Sequence, residues 1–450
     1  MALDFLILYE HIVRELDNDC LIMAELARRG YSSELFQLMD RKKLKYFTYK
    51  KPQVLVASAM YDNASLNSFV YNNVGRLDKV VNLHWEEMLS HEQEESKFFS
   101  LTENAAKCTH ICWGPAARDR IVAGGVPADN AVITGAIQLD FLRPQFDGYF
   151  KTRSQLAQQY GLDENKRWLL YVSSFSCANM DDKEVEELGE MTDLDFHGFK
   201  QSGARSMHTT LQWFSRLLSE HDDIEIIYRP HPTEWQTPPL EEMKSKHKCF
   251  KVIKDYTVGQ WLRVSDLSAF WISTSIAEAY YTGKPCIVLR PEPVPREYDP
   301  VIYEDCDAVA SYEALSDAIS SKQLAFPIDE ARMQSYFDID RNYPTYMRIC
   351  DLLEETLKNP PHDHPFSEGY TPHFNLVKFI VLFCLRVMNA LHINPHWFDW
   401  LLGHKITDMT ERLMNYFAKA YVPKKQIEAR VNELAKYIQN PPEREPALNE

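Results

Sequence analysis

Positive charge is scarce in this 450-residue sequence. Lys and Arg number 49 against 65 Asp and Glu, a formal net charge of −16 at pH 7. A nucleic-acid backbone is thereby a poor main partner, because affinity for it comes from neutralising phosphates. A disulfide framework is missing too: the nine cysteines are scattered and odd in number, as in a reduced, cytoplasmic protein. Cys108 and Cys112 flank His110, but they sit around an apolar run, Thr109 to Trp113. No second ligand pair follows at zinc spacing, so no metal is expected. The first apolar run, Phe5 to Tyr9, has no basic region before it and is interrupted at Glu10. It is expected to be neither a signal peptide nor a membrane span. The strand, turn and helix that it opens lack the glycine fingerprint of dinucleotide sites, which leaves NAD without support. No internal repeat or low-complexity tract is evident.

What is present is an ordinary globular composition, 45% hydrophobic and 25% charged, at a length that implies two domains or more. Short apolar runs separated by helical stretches recur along the chain. After Phe5 to Tyr9 comes a helix that stops at Gly30, with Ile12, Leu16, Met23 and Leu26 facing in. Strands follow at Val54 to Ala59, Lys79 to Leu83, His110 to Trp113 and Ala131 to Thr134. A charged turn near 162–167 opens a second series, with strands at Leu169 to Val172, Ile224 to Tyr228, Phe250 to Ile253, Leu267 to Ile272 and Cys286 to Leu289. Strands alternating with helices predict parallel sheets. The expected fold class is α/β, with a Rossmann-like domain over 1–145, a second over 146–358, and a helical segment over 366–450 beyond the linker Pro360 to Pro365.

Two loops in the second domain carry the chemistry. In Ile226-Ile-Tyr-Arg-Pro-His-Pro-Thr-Glu234 the strand must break at Pro230 and Pro232, which cannot donate to a ladder. Arg229, His231 and Glu234 are left beyond a strand's carboxyl end, where open α/β sheets bind ligands. Leu267 to Ile272 likewise delivers Ser273, Thr274 and Ser275 to the start of a helical run that closes at Gly283. Hydroxyls and N–H groups at a helix start favour anions, and Glu278, one turn in, is placed to accept from ribose hydroxyls. A third loop, Ser173-Ser-Phe-Ser-Cys-Ala-Asn179, ends the Leu169 to Val172 strand. By itself it reads as a Ser/Asn turn; opposite the other two it reads as ligand-binding, through Ser173, Ser174, Phe175, Ser176 and Asn179.

A His-Pro pair at a strand end followed by a Ser/Thr cluster resembles the bacterial sialyltransferases, the capsule Kdo transferases and the CDP-glycerol glycerophosphotransferases. Arg-Pro-His-Pro-Thr-Glu with Ser-Thr-Ser and Glu-Ala-Tyr-Tyr-Thr-Gly-Lys-Pro is most similar to the bacterial surface carbohydrate biosynthesis proteins. Arg14-Glu15-Leu16 and the Phe-Ser-x-Ala-Asn loop add to the likeness, which spans roughly residues 1–345. The resemblance implies a GT-B-like fold, two Rossmann-like domains facing a cleft. It also implies a CMP-sugar donor held by Arg229, His231, Pro232, Glu234, Ser273, Thr274, Ser275 and Glu278, no cofactor besides that donor, and no metal. The implied reaction moves an ulosonic or nonulosonic sugar, of Kdo or sialic type, onto a lipid-linked or polysaccharide acceptor. Transfer of glycerol or ribitol phosphate from a CDP donor, and a non-catalytic assembly protein of the same fold, are the competing readings.

Glycosyl transfer also needs a carboxylate from the other domain. Glu86 and Glu87 end a strand of the first domain beside Trp85. Related transferases carry an acidic pair followed by Gly here; in this chain Met88 stands in its place. Glu10, His11 and Arg14 are acceptor-side candidates, though Glu10 and Arg14 also read as a helix pair. Gln138 and Asp140 are weaker ones. From Tyr370 to Asn440 there are nine Lys and Arg against five Asp and Glu. Within that stretch Phe374 to Leu391 is apolar but for Lys378 and Arg386. It reads either as an amphipathic helix on the cytoplasmic face of a membrane or as a helix packed on the domains.

Overall fold

In a computed structural model, the protein is described at residues 3–38 and 51–438. Positions 86, 97–100, 184, 187, 188, 190–194, 232, 233, 235, 236, 322, 360–362, 367–369, 374, 375, 377–379, 381, 382, 386, 389, 390, 405, 409, 412, 413 and 415–420 are excepted. Glu86, Pro232, Lys378 and Arg386 of the expectations above therefore lie outside the described residues. The chain forms two compact units: Met1–Trp85 with Ser100–Ile137 and Asp340–Glu450, and Glu86–Phe99 with Gln138–Ile339.

Each unit is built on a six-stranded parallel sheet. The first contains β1 (Phe5–Tyr9), β2 (Ser33–Gln37), β3 (Val54–Ala57), β4 (Val80–Asn82), β5 (Thr109–Cys112) and β6 (Ala131–Ile133), in the order β2-β1-β3-β4-β5-β6. All five β1 side chains are fully buried, as expected where helices cover both faces of a parallel sheet. β2 was not legible in the sequence: Ser-Glu-Leu-Phe-Gln is an edge strand, half exposed, without a continuous apolar run. Asp4 fixes it, accepting from Ser32 N at 2.8 Å and Ser32 Oγ at 2.7 Å.

The helix after β1 begins as one wide turn, Ile12–Leu16, and continues as Asp17–Arg28. Its buried face holds Leu16, Cys20, Leu21 and Leu26, as an amphipathic pattern requires, but also Glu15, Asp19 and Glu25, all 0% exposed. Met23 and Ile12 are only half-buried. Glu25 is paired with Arg28 and Arg29, both at 2.7 Å. Arg29 reaches on to Asp351 at 2.7 Å in the helix Thr345–Lys358, which belongs to this unit. The last helix, Lys424–Leu434, packs on the same Asp17–Arg28 helix through an Arg430–Asp17 ion pair. Phe366 is fully buried in the first unit's core. Among the described residues no helix is long and apolar enough to cross a membrane.

The second sheet contains β7 (Arg167–Val172), β8 (Ile224–Arg229), β9 (Phe250–Val252), β10 (Leu267–Phe270), β11 (Cys286–Leu289) and β12 (Ala308–Val309), in the order β12-β11-β10-β7-β8-β9. The 25-residue helix Phe196–Glu220 starts where Asp195 caps it by accepting from Gly198 N. Gly198 is required there: a Cβ would lie 2.2 Å from the Tyr298 hydroxyl oxygen. Leu211, Phe214 and Leu217 of that helix seal one face of the sheet against Tyr171, Ile226 and Tyr228. The segment after Trp85 docks on this unit, with Val301 N donating to Leu89 O at 3.0 Å and His91 N to Asp299 O at 3.2 Å.

Asp19 is buried, neither of its carboxylate oxygens has a hydrogen-bond partner among the described residues, and the charge of Glu15 is close. Burial pushes its pKa well above the usual carboxylate value, and pushes Glu15 up to about 7. A carboxyl whose pKa is raised by folding stabilises below its unfolded pKa and loses that contribution as pH rises toward the folded one. The protein should therefore lose stability between pH 5 and 8, by up to about 1.4 kcal/mol per pH unit for each such group. Asp19→Asn should flatten this dependence in urea unfolding; an unchanged slope would show that Asp19 is not its source.

Candidate functional site

In the second sheet the winding reverses between β7 and β10, the first and fourth strands of the unit. Ligands of doubly wound sheets sit outside the carboxyl ends at such a point. β10, β7 and β8 are neighbours in register, with Phe270 opposite Val172 and Val172 opposite Arg229. Their three following loops consequently emerge side by side, and these are the three loops with candidate side chains.

Beyond β7, Ser173 continues the ladder by donating its N–H to Arg229 O at 2.9 Å. Its hydroxyl donates to Glu234 Oε2 at 2.6 Å and accepts from Tyr228 at 2.9 Å. Tyr228 OH also lies 2.7 Å from Glu234 Oε1, and His231 N donates to Glu234 Oε2 at 3.2 Å. Glu234 is thus buried at the centre of a network joining the ends of β7 and β8, and burial raises its pKa. Its geometry gives it the work of holding the loop rather than of meeting a ligand. His231, by contrast, is exposed. Phe175 is turned into the core, its ring tilted against that of Trp271 with centroids 4.7 Å apart. Ser174 donates to Ile272 O, linking the β7 and β10 loops. Ser176 is half-buried and Asn179 exposed.

Arg229 is 5% exposed, and its Nη1 donates to Lys254 O at 2.9 Å. Burial pushes the guanidinium down to about 10, opposed by the charges of Glu278 and Asp255. Glu278, half-buried on the helix Ile276–Thr282, is pushed up to about 7 by burial against the pull of Ser275 and Arg229. A carboxyl and a guanidinium shifted in opposite directions at one strand-end crevice mark a functional-site candidate. The helix Val258–Val264 approaches closely: a Cβ on Gly259 would lie 3.7 Å from Glu278 Oε1. Ser273 is gripped by Tyr303, whose hydroxyl accepts from Ser273 N at 3.1 Å and donates to Ser273 O at 2.7 Å. Thr274 is exposed and Ser275 half-buried, so both hydroxyls can reach a ligand.

Tyr228, Tyr303 and Lys254 were not singled out in the sequence. The two tyrosines lie in apolar surroundings that look like core. Lys254, which donates to Glu234 O at 2.5 Å, follows the short strand β9 without a motif. Asp140 is 1% exposed and bonded to Arg143 Nε at 2.7 Å, a buried ion pair, while Gln138 beside it is half-buried. Glu87 does not end a strand of the first domain as expected: that strand stops at Asn82, and Glu87 is buried in the second unit, 2% exposed, with the three loops. In the first unit, Glu10, His11 and Arg14 follow β1, at that sheet's own winding reversal between β1 and β3. Arg14 Nη2 lies 3.4 Å from Glu15 Oε1, and His11 Nε2 lies 3.9 Å from Glu10 Oε1. An open recess lined by Ser154, Gln158, Asp163 and Glu225 lies at the amino end of β8, on the other side of the sheet from these loops.

No protein-family model and no curated protein matches the sequence. Solved structures do. S. aureus MnaA with UDP has a TM-score of 0.52 at 12% identity, over 83% of this chain and 100% of that one. The UDP-GlcNAc 2-epimerase of Methanocaldococcus jannaschii has a TM-score of 0.49 at 15% identity, over 79% and 100%. A glycosyltransferase of Rickettsia africae has a TM-score of 0.45 at 11% identity, over 80% and 99%. The fold is GT-B-like. Two six-stranded parallel sheets and a helical C-terminal segment agree with the fold class expected from the sequence.

Glu234→Ala would strip the Ser173 and Tyr228 hydroxyls of their shared acceptor inside the protein. Leaving buried groups unsatisfied costs about 1–3 kcal/mol. Chemical denaturation should show a loss of that size, and wild-type stability in the variant would mean that the network does not hold the loops.

Proposed function

We propose that the second unit binds the nucleotide part of an activated sugar across the ends of β10, β7 and β8, and that the protein is a glycosyltransferase. The observation that carries this reading is the convergence of exposed His231, Thr274 and Asn179 with half-buried Ser275, Ser176 and Glu278 at one winding reversal. In this reading Thr274, Ser275 and His231 meet phosphate, and Glu278 accepts from ribose hydroxyls. Arg229 offsets the phosphate charge from beneath. The donor is a CMP-activated ulosonic or nonulosonic sugar, on the strength of the Arg-Pro-His-Pro-Thr-Glu and Ser-Thr-Ser motifs. The acceptor is a lipid-linked or polysaccharide glycan of a bacterial surface.

In the reaction an acceptor hydroxyl attacks the anomeric carbon, the bond from that carbon to the phosphate oxygen breaks, and CMP leaves with the electron pair. A carboxylate takes the acceptor proton. Glu86 or Glu87 is assigned that role, with Glu10 the next candidate; Asp140 is held by Arg143. A second reading has a UDP-sugar as substrate. It is favoured by the UDP in the S. aureus MnaA structure, whose fold this chain shares.

A thermal-shift screen with CMP, CDP, UDP and GDP separates the two. The preferred nucleotide at a hundredfold its Kd should add about 2.7 kcal/mol of stability. His231→Ala should weaken its binding by about 1–3 kcal/mol while the protein stays folded, and one of Glu86→Gln and Glu87→Gln should bind it normally and fail to transfer sugar; near-normal transfer by both would reject the pair. Stabilisation by UDP alone would replace the CMP reading, and no stabilisation by any nucleotide would end both.

The C-terminal segment adds attachment to an anionic membrane surface, at the cytoplasmic face of the inner membrane. Of the twelve large hydrophobic side chains exposed among the described residues, nine lie between 376 and 406. Leu376, Ile380 and Phe383 follow helical spacing, and Trp397 and Trp400 are 67% and 82% exposed, as in helices that lie in a bilayer interface. Replacing Trp397, Trp400 and Leu401 together by Ser should cut sedimentation with phosphatidylserine-containing vesicles at least tenfold without lowering the unfolding temperature. Undiminished binding would reject this attachment.

A further inference from the structure

The same C-terminal segment holds a cluster of side chains unrelated to the strand-end loops. A short turn, Pro395–Phe398, runs directly into the one-turn helix Asp399–Leu402. Asn394 caps the turn by accepting from His396 N at 2.9 Å. His396 and Asp399 are three residues apart and so share a face. Gly403 then adopts a φ of +81°, open to glycine at little cost. The chain turns there and brings His404 back over Asp399. His396 Nδ1 lies 3.2 Å from Asp399 Oδ1, and His404 Nδ1 lies 3.0 Å from Asp399 Oδ2. One donor atom from each of the three residues lies within 4.8 Å of the others. Donors around a tetrahedral ion with bonds of 2.0–2.1 Å stand about 3.3 Å apart, so little movement separates this cluster from a coordination shell.

The surrounding groups favour that use. His396 Nε2 faces Glu411 Oε2 at 3.3 Å and Asp408 Oδ1 at 3.7 Å. A carboxylate that accepts the Nε2 proton leaves the Nδ1 lone pair turned toward Asp399, the device that orients metal-bound imidazoles. Thr407 donates to Asp399 Oδ1 and steadies the carboxylate.

We propose that His396, Asp399 and His404 bind one divalent transition-metal ion of the zinc class, with a fourth position open to water. Two imidazoles and a carboxylate suit zinc, nickel or cobalt; magnesium and calcium prefer oxygen ligands throughout. A bound ion would hold the 395–404 turn, and with it Trp397, Trp400 and Leu401, in one arrangement. The site is independent of the nucleotide reading, since none of its residues belongs to the second unit. The competing account is a set of His–carboxylate ion pairs that needs no metal.

Cobalt distinguishes the two. Untagged full-length protein, freed of metal by a chelator, is titrated with Co²⁺ while visible d–d absorption is recorded. The expected result is saturation at one ion per chain, reversed by Zn²⁺. His404 is 81% exposed, so His404→Ala should fold normally and bind Co²⁺ at least tenfold more weakly. Glu411→Gln, which alters only the outer group, should weaken binding about 10–100-fold. No saturable absorption in the wild type, or equal affinity in His404→Ala, would overturn the site and leave the ion pairs as the whole explanation.

Discussion

Parallel pairing of β10, β7 and β8 is the constraint on which the candidate site depends. Parallel neighbours all point the same way, so the loops that follow them leave the sheet from one edge. Three loops spread over residues 173–278 become adjacent for that reason. The side-chain network then sets their detail. Glu234 ties Ser173 to Tyr228, Ser174 ties the β7 loop to Ile272, and Tyr303 grips Ser273. All three are buried or half-buried interactions, where a missing partner leaves a polar group without water.

Burial has a second consequence, which runs through both units. The protein removes several ionisable groups from water and does not compensate all of them. Arg229 is pushed down and Glu278 up at the strand-end crevice, while Glu15 and Asp19 are pushed up in the first helix of the other unit. Glu25, equally buried, is compensated by two arginines, and no comparable cation meets Asp19. Where a buried charge has no partner, folding draws on stability to keep it, and function is one reason for keeping it. Arg229 and Glu278 stand close enough to influence each other's charge; among the described residues Asp19 has no such partner.

The C-terminal segment divides into parts with different chemistry. Phe366 and the Lys424–Leu434 helix are anchored in the first unit, one in its core and the other on the Asp17–Arg28 helix. Between them nine large hydrophobic side chains from 376 to 406 face solvent while Leu385 and Met414 are buried, and polar groups gather at His396, Asp399 and His404. An apolar surface held at both ends is suited to docking, and a short turn closed on itself is suited to a metal.

The sequence alone determined the fold class and the places where the chain's strands end. Pro230 stops β8, continuous apolar runs mark strands covered on both faces, and Ser273 to Ser275 precede a helix closed by Gly283. These are local properties, set by backbone chemistry and by side chains a few residues apart. β2 and β12 escaped because edge strands carry no long apolar run, and Glu15 and Asp19 because their burial depends on helices hundreds of residues away. Only the tertiary structure decided which candidates face out. It turned Phe175 and Glu234 inward, left His231 and Thr274 exposed, closed Asp140 on Arg143, and folded His404 back onto Asp399. Strand ends follow from neighbours along the chain, whereas the direction a side chain faces follows from neighbours in space.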